Sequence, residues 1–278
     1  MPAEVNLGAI EGFRLVAADP AQLAAFYRAV GFTIGQARRI PVAEMRRLGL
    51  SGTGERIPMS LGPSQIDLEG FDPPGRSYPW RATACDLIFQ HLALVTDDAR
   101  TAWARAREAG AVLISAEGPV RLPASAGGVT AVKFRDPEGH PLEFLQFPAV
   151  ADSGWTGAGV LGIDHSAISV GDLAASRSFY EARGLNSGAA SLNRGSTQAA
   201  LDGLAGVKVE VLAMNPAERP PHLELLAYRA PRGHPLPQLA ANDIAAARVL
   251  WRSNEAGLVR DPDGHLHELE VSAEELRR

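Results

Sequence analysis

The chain has 278 residues, 46% of them hydrophobic and 21% charged, with 27 Lys and Arg against 32 Asp and Glu and a net charge of −5. These values are typical of a globular protein of two compact domains, and the absence of a basic block argues against a nucleic-acid surface. No signal peptide or membrane-spanning run is visible, and the single cysteine, Cys85, fits a reducing compartment, so we expect a cytoplasmic protein.

One pattern of strand, helix cap and glycine occurs three times along the chain. Each copy is an apolar strand ending in Asp, followed by an Ala-rich segment and then a Gly twelve residues after the Asp. The pairs are Asp19 with Gly31, Asp98 with Gly110, and Asp172 with Gly184. Asp is a favoured N-cap, and Gly supplies the left-handed residue just past a helix end. The pattern therefore predicts three helices of about three turns, each directly after a strand.

A second repeat lies near the end of the second and the last strand-rich segments. Arg135-Asp-Pro-Glu-Gly-His-Pro-Leu-Glu143 is similar to Arg260-Asp-Pro-Asp-Gly-His-Leu-His-Glu268. Asp-Pro-Glu-Gly and Asp-Pro-Asp-Gly favour tight turns, and apolar strands flank both, so each segment predicts a β-hairpin. His140 and His265 stand at the turn exits, where we expect them to be structural and to help close the turn.

The two repeats together predict four modules of one strand, one helix and three further strands. They cover residues 10–72, 86–149, 161–230 and 237–272. The fourth is truncated, because no helix of ordinary length fits before its hairpin. Each module alone would leave one face of its sheet uncovered, so the modules should pair.

A βαβββ repeat closed by an Asp-Pro-(Glu/Asp)-Gly-His hairpin and a following Glu resembles the vicinal oxygen chelate superfamily, which includes glyoxalases, extradiol dioxygenases and bleomycin-resistance proteins. The resemblance covers nearly all of the chain. It implies an α+β fold in which the four modules pair into two cupped mixed β-sheets with the helices outside. It also implies a divalent metal ion, such as Zn, Ni, Co, Mn or Fe, held by the first and last strands of the modules.

The resemblance places candidate metal ligands in the two middle modules. His91 and His165 each stand seven residues before the helix-capping Asp of their own module. Glu143 and Glu224 stand in the last strands of the same two modules. Imidazole and carboxylate groups suit the divalent metals named above, and no thiolate site competes.

The first and fourth modules are poor in ligands. Gly12 takes the histidine position of the first, and Asp67 its glutamate position. In the fourth, Glu268 is in register, but only Asn242 or Asp243 stands near the histidine position.

Two pairings of the modules remain open. Pairing in chain order would form two smaller sites, with Asp67, His91 and Glu143 in one, and His165, Glu224 and Glu268 in the other. Pairing of the middle modules would bring His91, Glu143, His165 and Glu224 together and leave modules one and four as a degenerate domain. We favour the second pairing, because the loss of ligands from both outer modules is then a single event.

The family likeness implies a glyoxalase-like lyase or isomerase that acts on a small molecule with two adjacent oxygens. The metal would act as a Lewis acid, and Glu143 or Glu224 as the general base. One alternative is an extradiol-type ring-cleaving dioxygenase, and another is a non-catalytic protein that binds a small molecule and confers resistance. We expect a monomer or a homodimer.

Three further side chains have open roles. His222 shares a strand face with Glu224 and would be a ligand, an acid or base, a substrate contact, or merely a partly exposed histidine. Trp80 and Trp155 stand in loops between modules, where they would line an entrance to the site or pack against a domain joint.

Overall fold

The computed structural model of the chain describes residues 5–149, 153–218, 220–235 and 237–271. Residue 272, the end predicted for the fourth module, lies outside these ranges. The first module contains β1 (Ile10–Val16), α1 (Pro20–Val30), β2 (Thr33–Ile34), β3 (Arg38–Arg39), α2 (Val42–Arg47), β4 (Thr53–Leu61) and β5 (Ser64–Asp72). The second contains β6 (Gln90–Thr96), α3 (Ala99–Glu108), β7 (Val112–Leu113), β8 (Val120–Arg121), β9 (Thr130–Arg135) and β10 (Pro141–Gln146), with a 3-10 turn at Ala124–Ala126.

The other half of the chain follows the same order. The third module contains β11 (Val160–Ser169), α4 (Leu173–Glu181), β12 (Asn186–Arg194), α5 (Ser196–Asp202), β13 (Lys208–Asn215) and β14 (His222–Ala230). The fourth contains β15 (Arg248–Ser253), β16 (Gly257–Arg260) and β17 (Leu266–Val271), with no helix among its described residues.

The strands form two mixed sheets, which confirms the predicted α+β class. The middle sheet has nine strands, in the order β12-β13-β14-β11-β6-β10-β9-β7, with β8 paired to β9. The outer sheet has eight, in the order β16-β17-β15-β1-β5-β4-β2, with β3 paired to β4. The antiparallel pairs β6–β11 and β1–β15 join two modules at the centre of each sheet. Strands of modules two and three therefore share one sheet, and strands of modules one and four share the other.

The three helices predicted from the Asp–Gly spacing are confirmed. Asp19 accepts a hydrogen bond from the Gln22 backbone N–H (3.0 Å), and Asp98 and Asp172 accept bonds from two backbone N–H groups each in the first turn of their helices. The glycine of each pair has a positive φ, between 96° and 122°. Buried side chains of α1, α3 and α4, among them Tyr27, Ala106 and Tyr180, join the largest core cluster.

Two further helices, α2 and α5, were not predicted. They have only six and seven residues, and neither has a side-chain hydrogen bond at its N-cap, which is Pro41 for α2 and Gly195 for α5. Without a capping side chain or a long apolar period, the sequence carries little helix signal there. Each precedes the penultimate long strand of its module. Helix α5 packs against β8, β9 and β12 of the middle sheet.

Both Asp-Pro-X-Gly hairpins form, and their histidines link the two sheets. Asp136 Oδ1 accepts backbone N–H bonds from Glu138, Gly139 and His140, which closes the turn. His140 Nδ1 lies 2.7 Å from Asp136 Oδ2, and its Nε2 lies 3.0 Å from the carbonyl oxygen of Val16 at the end of β1. The predicted structural role of His140 therefore extends beyond the turn, to the sheet that does not contain it.

The second hairpin repeats this arrangement in the opposite sense. Asp261 Oδ1 accepts backbone N–H bonds from Asp263, Gly264 and His265, and His265 Nε2 lies 3.1 Å from the carbonyl oxygen of Ser169 in β11. A hairpin of the middle sheet thus contacts the outer sheet, and a hairpin of the outer sheet contacts the middle one.

No helix in the described part of the chain is long and apolar enough to cross a membrane.

Candidate functional site

The four candidate ligands lie on four adjacent strands of the middle sheet. These strands run in the order β10, β6, β11 and β14 and carry Glu143, His91, His165 and Glu224 respectively. His91 Nε2 lies 2.8 Å from Glu143 Oε2, and His165 Nε2 lies 3.5 Å from Glu224 Oε2. The two histidine rings are 5.8 Å apart between centroids. The structure therefore brings all four side chains to one place.

Small residues separate the candidate ligands in the sheet. Ala93 lies between Glu143 and His165 across the strands, and Ala167 lies opposite His91 on one side. On its other side Ala167 lies opposite Glu224. Alanine at both intervening positions keeps the space between the candidate ligands open.

Three of the four candidate ligands form a tight group. Nitrogen or oxygen atoms of His91, Glu143 and His165 all lie within 4.8 Å of one another, and all three residues are buried. Glu224 is outside this group and is more accessible, with 23% of its side chain exposed. Two imidazoles and one carboxylate are a donor set that borderline divalent metals favour.

The state of His91 tests whether these residues fit a metal. Its ring is 2% exposed, and although Nε2 lies 2.8 Å from Glu143 Oε2, neither ring nitrogen has a partner in hydrogen-bond geometry among the described residues. Buried polar atoms without partners are unfavourable unless something satisfies them. Burial also lowers the pKa of His91, against the opposing effect of Glu143, and so favours the neutral form that ligates metals. The residues therefore fit a divalent cation.

The second histidine has the opposite electrostatic setting. Burial by itself would lower the pKa of His165, but the carboxylates of Glu224 and Asp164 outweigh it and raise the pKa to about 9. Burial would likewise raise the pKa of Glu224, but the nearby His165 and His222 lower it to about 2. Without a metal, His165 and Glu224 thus form a pair of opposite charges.

Asp164 is a site residue that the sequence analysis missed. Its Oδ2 lies 2.9 Å from His165 Nδ1, so Nε2 of the same ring is turned towards Glu224. Ligating histidines commonly have a carboxylate on the other ring nitrogen, which fixes the ring orientation. The register of β11 shifts between Ile163 and His165, and this irregularity lets Asp164 lie beside His165, its neighbour in the chain. Strict alternation would put Asp164 on the opposite face, so no sequence signal indicated it.

His222 lies beside the site. It pairs directly with His165 across β11 and β14, and the two rings are 5.3 Å apart between centroids. Its Nε2 lies 3.7 Å from Glu224 Oε1, and its Nδ1 lies 4.0 Å from Asp164 Oδ2. Asp164, His165 and His222 therefore form a second, overlapping group of possible ligand atoms. The role of His222 stays a prediction.

A cavity of about 470 Å³ borders the four candidate ligands. Its wall includes apolar side chains of β10, β13 and β14, among them Leu145, Val211 and Leu226, and polar side chains including Lys133. Neither Trp80 nor Trp155 borders this cavity. Trp155 is 9% exposed and packs against Gly162, where an added Cβ would lie 2.4 Å from the indole. Trp80 is half exposed beside Arg135.

The corresponding region of the outer sheet holds arginines. Arg248 lies opposite Arg14 just as His165 lies opposite Ala93, so Arg248 takes the histidine position of the fourth module. The expectation that Asn242 or Asp243 stands there is wrong, because β15 begins only at Arg248. Asp243 instead accepts hydrogen bonds from Arg76, which lies in the loop between β5 and β6.

The two outer carboxylates have cationic side chains as partners. Asp67 pairs with Arg14, and Glu268 lies 3.3 Å from Arg14 Nε and 3.1 Å from Arg248 Nε. Arg248 also pairs with the buried Glu69. Guanidinium groups thus neutralise these carboxylates inside the protein, as a metal would in the middle sheet.

Comparison with known proteins is consistent with this architecture. A family model described as the Glyoxalase/Bleomycin resistance protein/Dioxygenase superfamily matches residues 9–144, the first two modules. Glyoxalase I from Zea mays has a similar structure, with a TM-score of 0.60 and 14% identity over 99% of this chain and 95% of that one. A putative dioxygenase from Bacillus subtilis gives a TM-score of 0.59 and 10% identity over 96% and 86% of the two chains. At such identities the likeness shows the fold alone. No curated protein is significantly similar in sequence.

Proposed function

Because the chain belongs to the glyoxalase/bleomycin resistance/dioxygenase superfamily, we propose that it is a metal-dependent enzyme of lyase or isomerase type. Its substrate is a small molecule with two adjacent oxygens. The proposed metal ligands are His91, Glu143, His165 and Glu224. The observation that carries the proposal is the tight group of His91, Glu143 and His165, in which the ring nitrogens of His91 have no other partner among the described residues.

The bound metal would supply Lewis-acid stabilisation of negative charge on a substrate oxygen. Glu224 is the general base that we favour over Glu143. It lies outside the tight group and lines the cavity, whereas Glu143 Oε2 is 2.8 Å from His91 Nε2. A carboxylate oxygen of Glu224 would take the proton from a carbon next to a substrate carbonyl. Asp164 holds His165 in the orientation that ligation requires.

A ring-cleaving dioxygenase is the second candidate. The tight group contains two histidines and one carboxylate, which is the ligand set of non-haem Fe(II) oxygenases. In this case Glu224 would not be a ligand. The same group therefore supports both reactions, and the position of Glu224 relative to the metal decides between them.

Metal content by elemental analysis tests the proposal. We expect one equivalent of metal in the wild type, and its loss in both His91→Ala and His165→Ala. Asp67→Asn, at the corresponding position of the outer sheet, is the matched control and should keep the full equivalent. Two equivalents lost independently would contradict a single shared site. A wild type that holds no metal after reconstitution would instead leave a non-catalytic binding protein.

The base is tested by exchange of carbon-bound hydrogen with deuterium from solvent, across a panel of α-hydroxyketones. Glu224→Gln should keep the metal and lose exchange by roughly 10²–10⁴-fold, the usual contribution of a general base. A matched loss in Glu143→Gln with metal retained would move the role to Glu143. Catechol-dependent oxygen uptake by the Fe(II) form, with no exchange, would favour the dioxygenase.

A further inference from the structure

A second group of polar side chains lines the cavity away from the metal ligands. This wall cluster consists of Lys133, Gln198, Asp202 and Tyr228, all of them more than nine-tenths buried. Asp202 is its centre: Lys133 Nζ lies 2.7 Å from Oδ1, while the Tyr228 hydroxyl and Gln198 Nε2 donate to Oδ2 at 3.0 and 2.9 Å. Lys133, Gln198 and Tyr228 border the cavity directly.

The orientation of the Gln198 amide follows from its partner. Asp202, placed beside Lys133, accepts hydrogen bonds, so the Nε2 end of the amide faces it and the Oε1 end faces away. Gln198 Oε1 is buried and has no hydrogen-bond partner among the described residues. A buried carbonyl oxygen left in this state lowers the stability of the protein.

Such atoms are rare in this chain. Among the described buried side chains, polar atoms without a partner occur only on His91, Arg183 and Gln198. Two of these three residues, His91 and Gln198, border the same cavity. A metal would take one ring nitrogen of His91, and Gln198 is then the other described residue on the cavity wall with an unpartnered acceptor.

We propose that Gln198 Oε1 accepts a hydrogen bond from a neutral donor, a hydroxyl or an amide N–H, at the end of the substrate remote from its two adjacent oxygens. The proposal rests on the proposed function, which anchors the other end. The donor is neutral because the charges of Lys133 and Asp202 offset each other beside Gln198.

The dimensions of the cavity describe the rest of this substrate. Glu224 and Tyr228 share a face of β14 and are four residues apart, which is about 13 Å between Cα atoms. Leu226 lies between them, and Leu145 and Leu201 border the same space. The substrate therefore has an oxygen-bearing head, an apolar middle and a donor at its tail.

Gln198 is not required to hold helix α5 in place. The Ser115 hydroxyl donates to the carbonyl oxygen of Leu201 at 2.7 Å, and the Ala116 backbone N–H donates to that of Ala200 at 2.8 Å. Asp202 keeps Lys133 and Tyr228 when Gln198 is changed. Gln198→Met, which removes the acceptor at nearly constant volume, is therefore a usable test.

The experiment uses the full chain loaded with Zn²⁺ and a series of hydroxamic acids of graded chain length. Each hydroxamate has two adjacent oxygens at one end and either a hydroxyl or a methoxy group at the other. Dissociation constants come from calorimetric titration. At the best-fitting length we expect the wild type to prefer the hydroxyl compound by about tenfold, as one hydrogen bond supplies. The preference should fall to less than about twofold in Gln198→Met.

Gln90→Met is the matched control, since Gln90 is buried but hydrogen-bonds to Ser166 outside this cavity, and it should keep the preference. An equal preference in the wild type and Gln198→Met, or none at any length, would overturn the inference. Hydroxamate binding that does not depend on Zn²⁺ would count against the proposed function, while the Gln198 comparison would still stand.

Unfolding in the absence of any ligand is a second, independent measurement. Gln198→Met removes the Nε2 donor to Asp202 together with the unpartnered Oε1, whereas Tyr228→Phe removes only a donor to the same carboxylate, so Gln198→Met should lower the unfolding midpoint less than Tyr228→Phe does. A midpoint lowered as much as in Tyr228→Phe would show that Gln198 is a structural residue and would overturn the inference even if the protein holds no zinc.

Discussion

The hydroxyl of Tyr27 donates a hydrogen bond to Asp136, 3.1 Å away, and so connects helix α1 of the outer half to the hairpin of the middle sheet. Tyr180 of α4 makes the same bond, also 3.1 Å, to Asp261 of the other hairpin. Both tyrosines are fully buried, and burial together with the nearby carboxylate raises their pKa well above the usual value. Each hairpin is therefore fixed by a helix from the neighbouring module.

Removal of either hydroxyl should weaken the contact between modules. Tyr27→Phe and Tyr180→Phe should each lower the free energy of unfolding by about 1–2 kcal/mol, because each takes a donor from a buried carboxylate. Tyr78→Phe is the control, since its hydroxyl donates to the Ile88 carbonyl oxygen at 3.3 Å and not to a carboxylate. Denaturant unfolding monitored by circular dichroism measures all three. Equal losses in control and test variants would contradict the argument.

The N-caps give a second stability prediction. Asp98→Ala and Asp172→Ala should each cost about 1 kcal/mol, because each carboxylate accepts two backbone N–H bonds at its helix start. The matched Asn variants should retain most of the stability, since Asn is also a good N-cap. An unchanged melting temperature in both Ala variants would mean that the caps do not stabilise these helices.

The arginine cluster of the outer sheet should be structural and independent of metal. Arg248→Met leaves Glu69 and Glu268 buried with fewer cationic partners, and should destabilise the protein by roughly 3–5 kcal/mol. Arg252→Met, on the same strand but 40% exposed, should cost less than about 1 kcal/mol. Neither change should alter the metal content of protein that folds. Loss of metal in folded Arg248→Met would place a metal in the outer sheet.

His267 should make stability depend on pH. Trp251 Nε1 donates to its Nδ1 at 3.0 Å, and its Nε2 lies 2.9 Å from the Tyr180 hydroxyl. Burial lowers the pKa of His267 from 6.5 to about 4. The unfolded chain therefore binds a proton here between these values, whereas the folded protein does not. Stability from this group is complete above about pH 6.5 and is lost as pH falls towards 4.

The size of that effect is roughly 2–3 kcal/mol across the window, from the difference in pKa. His267→Gln keeps a polar side chain for Tyr180 but cannot titrate, so its unfolding free energy should fall less between pH 7 and pH 4.5. The measured quantity is the difference between wild type and His267→Gln in how much the unfolding free energy falls with pH, because other histidines contribute in both proteins. Parallel pH profiles would refute this assignment.

Removal of metal should lower stability through the middle sheet alone. A ligand that binds only the folded state stabilises it by about 2.7 kcal/mol at a free concentration one hundred times its dissociation constant. Chelation should therefore lower the melting temperature of the wild type and of Asp67→Asn, but not that of His91→Ala. A chelator effect that persists in His91→Ala would place the stabilising ion elsewhere.

The sequence predicted those parts of the fold that depend on local, repeated signals. The spacing from Asp to Gly located α1, α3 and α4, and the Asp-Pro-X-Gly turns located the hairpins, because caps and turns need particular side chains at fixed offsets. The same frame placed His91 and His165 at equal distances from their helix caps.

What the sequence did not predict depends on features without a local signature. Asp164 joins the site only through a register shift, and α5 brings Gln198 and Asp202 to the cavity without a capping side chain. Arg248 was missed because the fourth module has no helix cap from which to count back to its first strand. In each case strand register or tertiary packing decides the position.

Each half of the chain contributes strands and a hairpin contact to both sheets. The chain is therefore equivalent to two half-chains joined covalently. Residues up to Phe147 supply His91 and Glu143, and residues from Val160 onward supply His165 and Glu224, so neither half contains the whole candidate centre. Two identical half-chains assembled in this way would have two equal centres and could not lose the ligands of one without losing those of the other. Fusion removes that restriction. One cup is free to become an arginine-filled scaffold while the other keeps its histidines.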